Sequence, residues 1–361
     1  MPRLDWNNTI DTIKSGKCIL FLGPEIYNND EGKLEERLLK YLDLQDDPEV
    51  QVYDDGLFFF RDGQRRTDTY LRMRRFFENE DFSAAKNIMQ KIARIPFHFI
   101  ITTTPDNLLV DTFQELNFKV NSGYYWKNTP PDPKVTMPSV EMPMVYNVLG
   151  NIGHPESLVL THDDLYDYLE SIFQAKSMPE KLRYHIMKEA QNLIFLGIPF
   201  DRWYMQIILR MLNLHIDKDV MRFAIMQEVS DEVETLCKDE FQINFIQHRI
   251  VEFIDEMYDR CEQEGILRTA DETEKMDVEK MKTLVAEDRL PDVFAQLNKY
   301  LAITKRGDND LSDELTLLEN RHSRLTRKIH QGILSEEQIS LAENKLRNDL
   351  LYLLNETIVL T

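Results

Sequence analysis

The chain is 361 residues long, 42% apolar and formally −20 at neutral pH, with three cysteines. That length and apolar share supply cores for two domains, while the acidic balance rules against sequence-independent binding of DNA or RNA, which needs a basic face to displace counterions from phosphates. Cys18, Cys237 and Cys261 are too few and too scattered for a disulfide framework or a four-thiolate site, so no zinc is expected.

The chain opens without the apolar run of a signal peptide. Its longest apolar region, 193–214, is broken by Asp201, Arg202 and Arg210, so a cytoplasmic protein with no membrane span is expected. Trp6, Ile10 and Ile13 recur at helical spacing, Gly16 is placed to close that helix, and Cys18 to Leu22 reads as a buried strand ending in a Gly23-Pro24 turn. The segment from Tyr70 to Phe77, with Arg65 and Arg66, interleaves aromatic and basic residues as single-strand binders do. The acids Asp62, Asp68, Glu78, Glu80 and Asp81 around it favour a solvated, charge-paired helix face instead. Further strands are predicted over 98–102, 145–149, 157–160, 193–196 and 222–226, with helices between them. Tyr124, Tyr125 and Trp126, followed by Pro130, Pro131 and Pro133, read as an irregular aromatic loop, either a lid or an oligomer contact.

Short apolar strands alternating with helices predict an α/β domain, a Rossmann-like parallel sheet with helices on both faces. Ligands of such sheets sit beyond the carboxyl ends of the strands, which sets Gly23, Thr102 to Asp106, Gly150 and Gly197 along one rim. A composition change near Gly265 divides the chain into an α/β domain over 1–268, a polar linker over 269–276 and a small all-α domain over 277–361. Residues 272–361 carry 13 basic and 17 acidic side chains, so most of the negative charge lies on the first domain. In the second domain Leu311, Leu315, Leu318, Leu325 and Ile329 mark one amphipathic helix, and Leu346, Leu350 and Leu353 mark another. Gly332 ends the first, and Ser335 with Gln338 forms a capping box for the second, so the two should pack antiparallel. Val278, Leu284, Leu290, Phe294 and Leu297 predict helix before them.

Four rim segments, in order, resemble the sirtuin-like family: Phe21-Leu22-Gly23-Pro24-Glu25, Thr102-Thr103-Thr104-Pro105-Asp106, Val148-Leu149-Gly150 with the stretch from Pro155 to Thr161, and Phe195-Leu196-Gly197 with Asp201. Without the zinc module's cysteines, the chain is closer to the branch found in bacterial defence proteins. The resemblance implies an NAD or ADP-ribose-type nucleotide held by Gly23, Pro24, Glu25, Thr103, Gly150, Gly197 and Asp201, and self-association into a homo-oligomer. It also implies an Asn that organises the nicotinamide ribose and attacking water, and a His that accepts a proton. Those two roles fall on Thr104 and Leu149. Leucine has no lone pair, and loss of a positioned base costs a factor of about 100 to 10,000. His154 and His162 lie close enough in sequence to be relocated bases, or are ordinary exposed loop histidines.

Glu25 stands where the family's last loop glycine would be. It either fills the anion site at the following helix end and repels a pyrophosphate, or points to solvent as a helix-start acid. Asp106 and Asp201 each serve ribose hydroxyls or cap the helix that follows. Arg202 and Trp203 either stack on a base or, for Trp203, pack in the core. With Thr104, Asp106 and His154 as candidate catalytic residues, two functions remain. One is a catalytically degraded nucleotide-binding effector or scaffold, a pseudoenzyme; the other is an active NAD hydrolase of antiphage defence using substituted residues.

Residues 314–356 resemble the effector-associated domain of bacterial immune proteins, through the run from Arg321 to Leu325, the turn before Ser335 and the helix carrying Asn344 and Arg347. That resemblance implies an adaptor that pairs with like domains on other proteins or with itself. The alternative is a plain helical hairpin; an exposed stripe of Arg321, Arg324, Arg327 and Lys328 would favour a partner surface.

Overall fold

The computed structural model describes residues 4–44, 47–127, 135–173, 176, 178–211, 220–269, 278–304, 309–331 and 333–359. The predicted linker beyond residue 269, the prolines after Trp126 and Gly332 lie outside the described residues. Two compact units result, Met1–Ala270 and Asp271–Thr361.

In the first unit, Asp5 caps helix α1 (Trp6–Lys14), its carboxylate accepting the Asn8 N–H at 3.2 Å. Gly16 closes the helix at φ 64°. A seven-stranded, all-parallel sheet follows, in the order β5 (Asn121–Tyr124), β6 (Met144–Asn147), β4 (Phe99–Thr102), β1 (Cys18–Leu22), β7 (Asn192–Leu196), β8 (Met221–Met226) and β9 (Ile243–Gln247). Period-two alternation sends successive strand residues to opposite faces. Cys18, Leu20 and Leu22 join one core with Ile194, Leu196 and Ile100, covered by α1, α4 (Ser83–Arg94), α5 (Leu108–Glu115) and α10 (Ile250–Gln263). Ile19 and Phe21 join the other with Phe99, Ile101, Leu193 and Phe195, covered by α6 (His162–Phe173), α7 (Glu180–Lys188), α8 (Trp203–Met211) and α9 (Asp231–Phe241). Burial of both faces explains why these strands are unbroken apolar runs.

The stretch 157–160 is not a strand. Pro155–Ser157 forms a single 3-10 turn, and beyond it Leu158 and Leu160 are buried against a small hairpin instead of joining the sheet. That hairpin, β2 (Val50–Val52) and β3 (Phe58–Phe60), sits with α2 (Leu34–Leu42) and α3 (Gly63–Asn79) in the insertion between β1 and β4. The Phe58 N–H donates to Leu160 O at 2.8 Å, and Tyr70 and Met73 of α3 pack on the hairpin. On α3, Arg66 pairs with Asp164 at 2.9 Å, Arg65 with Asp47 at 3.7 Å and Arg74 with Glu78 at 2.8 Å, while Tyr70, Met73 and Phe76 are buried. The basic and aromatic residues therefore serve opposite sides of one amphipathic helix.

The register levels the carboxyl ends of the four central strands: Leu22 lies beside Thr102 and Leu196, and Thr102 beside Asn147. Connections leave β1 toward β4 and β7 toward β8, in opposite directions, so the topological switch point lies between β1 and β7.

The second unit is a four-helix bundle of α11 (Val278–Ala286), α12 (Leu290–Thr304), α13 (Asn309–His330) and α14 (Glu336–Val359). Leu284, Leu290, Phe294, Leu297, Leu315, Leu318, Leu346, Leu350 and Leu353 form its core as their spacing predicted. Leu325 and Ile329 are only half-buried. Ser335 and Gln338 exchange the two bonds of a capping box, at 3.1 and 3.3 Å. No described helix is long and apolar enough to cross a membrane.

Candidate functional site

At the switch point two loops meet backbone to backbone. The Gly23 N–H donates to Leu196 O at 2.9 Å and the Glu25 N–H to Gly197 O at 3.3 Å, with Pro24 between them carrying no N–H. Gly23 has an ordinary extended backbone, so space alone requires glycine: a Cβ there would stand 2.0 Å from Gly197 O. Gly197 itself adopts φ 64°. Every amide at the start of this loop is thus spent on the neighbouring loop. Burial raises the Glu25 carboxyl above its usual range and the charge of Asp201 raises it further, with Lys33 opposing. Asp201 is exposed on the segment that leads into α8.

Arg202 is committed elsewhere, donating to Glu35 Oε2 and to Asp54 O, both at 2.6 Å. Trp203 is not a core residue: it is 40% exposed, and its side chain lies close enough to Asp55 to favour that carboxylate's charged form.

Beyond β4 the chain turns inward. Thr103 N–H donates to Leu22 O at 2.9 Å. The Thr104 hydroxyl lies 2.9 Å from the Thr102 hydroxyl and is buried. Asn147, the last residue of β6, donates from Nδ2 to Thr104 O at 2.8 Å and to Asp106 O at 3.0 Å. The Asp106 carboxylate accepts the N–H of Leu108, the first residue of α5, at 2.9 Å, and the Tyr27 hydroxyl at 2.6 Å, both on Oδ1, while the N-cap position itself is Asn107. Tyr27 is held in turn by Arg37, which donates to its carbonyl at 2.7 Å and pairs with Glu80. Asn147 and Tyr27 are the site residues that the sequence did not disclose. The available signal was a polar residue closing the apolar strand Met144–Asn147, and a hydroxyl four residues past Gly23.

After β6, Gly150 adopts φ 91°, and a Cβ there would lie 2.1 Å from Ser157 O. Asn151 fixes this loop: its N–H donates to Ser157 Oγ at 2.9 Å and its Nδ2 donates to Asn107 Oδ1 at 2.6 Å. Leu149 lines a cavity of about 190 Å³ together with Pro24, Leu57, Phe77, Thr103, Thr104 and Tyr204. His154 is exposed and stacks on Tyr124, ring centroids 4.6 Å apart, and is not among the residues that line this cavity. His162 lies 3.0 Å from Asp55, which does line it. Burial works against the Asp55 carboxylate, but the Leu57 N–H, His162 and Trp203 outweigh it and hold its pKa below the usual range. The structure therefore brings Pro24, Thr103 and Thr104 to one cleft with Leu149, sets Asp106 behind them, and leaves His154 and Asp201 on the surface. Among the described residues no group of His, Cys, Asp and Glu is arranged to hold a metal ion, and all three cysteines are buried and free.

Residues 98–246 match the SIR2-like domain and residues 276–357 match Effector-associated domain 11. No curated protein matches the chain. SIR2-like domains generally bind NAD-type ligands. A pyrophosphate does not fit the β1 loop of this chain in the expected pose: the loop's leading amides already have acceptors, and Glu25 with Asp201 sets negative charge at the same place.

Proposed function

The chain carries a SIR2-like domain followed by a C-terminal effector-associated domain, and we propose that it acts as an effector or scaffold of a bacterial immune or conflict system. In this proposal the SIR2-like domain is catalytically degraded and the helical domain recruits partners or drives self-association. One observation carries the proposal. Leu149 presents hydrocarbon to the cleft where the resemblance implies a base, beside a Thr104 hydroxyl turned onto Thr102. A nucleotide of NAD or ADP-ribose type would have to be held without the β1 loop as its phosphate cradle.

Adaptor function is supported by the outer surface of the second unit. Arg321, Arg324, Arg327 and Lys328 are all exposed on α13, where Leu317 is 58% exposed, and on α14 Leu341 is 76% and Tyr352 61% exposed. Exposed cations together with exposed large apolar side chains suit a partner surface.

The test is incubation of the full chain with NAD, following free nicotinamide, alone and with Asp106→Ala. Release at the rate of buffer is expected. Turnover that vanishes in Asp106→Ala would sink the degraded assignment and establish an NAD hydrolase working through substituted residues. Thermal shift with NAD and with ADP-ribose then separates a nucleotide-binding module from a pure scaffold.

A further inference from the structure

On the other side of Pro105 from the Leu149 cleft lies a second cavity, of about 290 Å³, whose wall includes Asp106 and Asp111. Asp106 is 8% exposed, and its two oxygens are unequally served. Oδ1 accepts both Tyr27 Oη–H and the Leu108 N–H, whereas Oδ2 is buried with no partner among the described residues. A buried carboxylate oxygen lacking a donor is costly, and the cost is removed by any ligand that brings an N–H to it. Asp111 stands about one turn further along α5 and adds a second negative charge. Glu78 on the opposite wall is already neutralised by Arg74 at 2.8 Å, so the cavity keeps the charge of the two aspartates. Its remaining lining is largely aromatic and apolar, with Phe77 and Phe82 stacked at 5.9 Å and Tyr27 edge-on to Phe82 at 5.2 Å.

We propose that this cavity is a binding site for a small organic cation bearing N–H donors, a guanidinium or a primary amine, whose charged head completes Asp106 Oδ2 and whose carbon chain lies along the Phe77 and Phe82 rings. Free phosphates and other anions are repelled by the same two carboxylates. Among the described residues no group of His, Cys, Asp and Glu is arranged to hold a bare metal ion. The ring faces suit a cation by their quadrupole. The site shares Asp106 with the candidate catalytic set but uses neither Leu149 nor the Thr104 hydroxyl, so cation binding is read separately from NAD turnover, with Asp111→Asn as the variant outside that set.

Titration calorimetry and thermal shift on the full chain test it, with agmatine and putrescine as probes, nicotinamide as a neutral amide and ADP-ribose as an anion. Agmatine or putrescine should raise the unfolding midpoint and bind saturably, and nicotinamide and ADP-ribose should do so far less. Asp106→Asn replaces the bare acceptor with a donor of the same shape and should weaken the cation about 10- to 100-fold, the cost of losing a charged hydrogen-bond partner. Asp111→Asn, which leaves the Tyr27 and Leu108 bonds intact, should weaken it less and guards against a folding defect in the first variant. The proposal is overturned by three results: no binding of either cation at about 10 mM, equal binding by the wild type and both variants, or nicotinamide binding as well as agmatine.

Discussion

Among the described residues of the first unit, His98 and His185 are the buried histidines, and they make its stability sensitive to acid. Their Nε2 atoms lie 2.7 Å apart, and His185 Nδ1 lies 2.7 Å from a Glu189 carboxylate oxygen. If His185 donates to Glu189, its Nε2 accepts the one proton that His98 supplies, and both rings are neutral. A further proton on His98 is opposed first by burial and then by His185, and a contact to the Cys18 backbone that favours the proton does not offset them, so its pKa falls to about 3 from the ordinary 6.5. The unfolded chain therefore binds a proton near pH 6.5 that the folded chain refuses. The stabilisation is fully present above pH 6.5 and is lost as pH falls toward 3. Integrated over that difference, the loss between pH 7 and pH 5 is about 2 kcal/mol, and by pH 4 about 3 kcal/mol.

The assay is urea unfolding at pH 7, 6, 5 and 4.5, read by tryptophan fluorescence, which reports the first unit because Trp6, Trp126 and Trp203 all lie in it. His98→Gln keeps a donor toward His185 and removes the titration. Carboxylates titrate in both proteins and cancel in the difference. The wild type should lose about 2 kcal/mol more than the variant between pH 7 and pH 5. Parallel curves, displaced by a constant at every pH, would refute the assignment.

Gly23→Ala forces a Cβ to 2.0 Å from Gly197 O and should destabilise the first unit by about 3 kcal/mol, checked by urea midpoint at pH 7. A near-neutral variant would show that the two loops are not locked together. Arg268 donates to the carbonyls of Ala93, Ile95, Phe97 and Val140, at the carboxyl end of α4, so Arg268→Met should cost about 3 kcal/mol by the same measurement. Ser335→Ala removes one half of a capping box and should cost the second unit about 1 kcal/mol, read by far-ultraviolet circular dichroism during thermal unfolding. Thr104→Asn with Leu149→His restores the two missing side-chain types but leaves the β1 loop closed, so nicotinamide release from NAD should stay at the rate of buffer. Release above it would place the whole catalytic loss in those two side chains.

The sheet was legible because its strands are buried on both faces. Runs such as Cys18–Leu22 and Asn192–Leu196 have no other stable place in a soluble fold. The edge strand Asn121–Tyr124 carries no such run, and only its pairing with Met144–Asn147 makes it a strand. The stretch 157–160 misled for the opposite reason: Leu158 and Leu160 are apolar because the β2–β3 hairpin covers them, and that hairpin consists of two strands of only three residues each. In the site, the rim positions followed from strand ends alone. What could not be read was which polar atoms meet. Tyr27 reaches Asp106 across 79 positions, and Asn147 holds two carbonyls more than 40 positions away. Such pairings depend on register and side-chain direction, not on local composition. The aspect of Glu25 left open by sequence is narrowed by its burial beside Asp201: it is not a freely solvated helix-start acid.

The departures on the rim are mutually dependent. A phosphate cradle needs amides that point into a vacancy at the switch point. Here the vacancy is occupied by the neighbouring loop, since a Cβ on Gly23 would stand 2.0 Å from Gly197 O and one on Gly197 would press on Glu25 and Ile26 at 3.0 and 3.1 Å. With the amides of Gly23 and Glu25 serving Leu196 and Gly197, as in the proposed degraded domain, an acidic side chain at position 25 opposes no anion there, and a base at position 149 would have no scissile bond to serve. Leu149 then gains more by adding apolar surface to the cleft than a histidine would by being left there unpartnered. Reversal consequently requires opening a backbone contact as well as exchanging side chains, and a variant that replaces Glu25 with glycine should remain without turnover for as long as Gly23 stays bonded to Leu196.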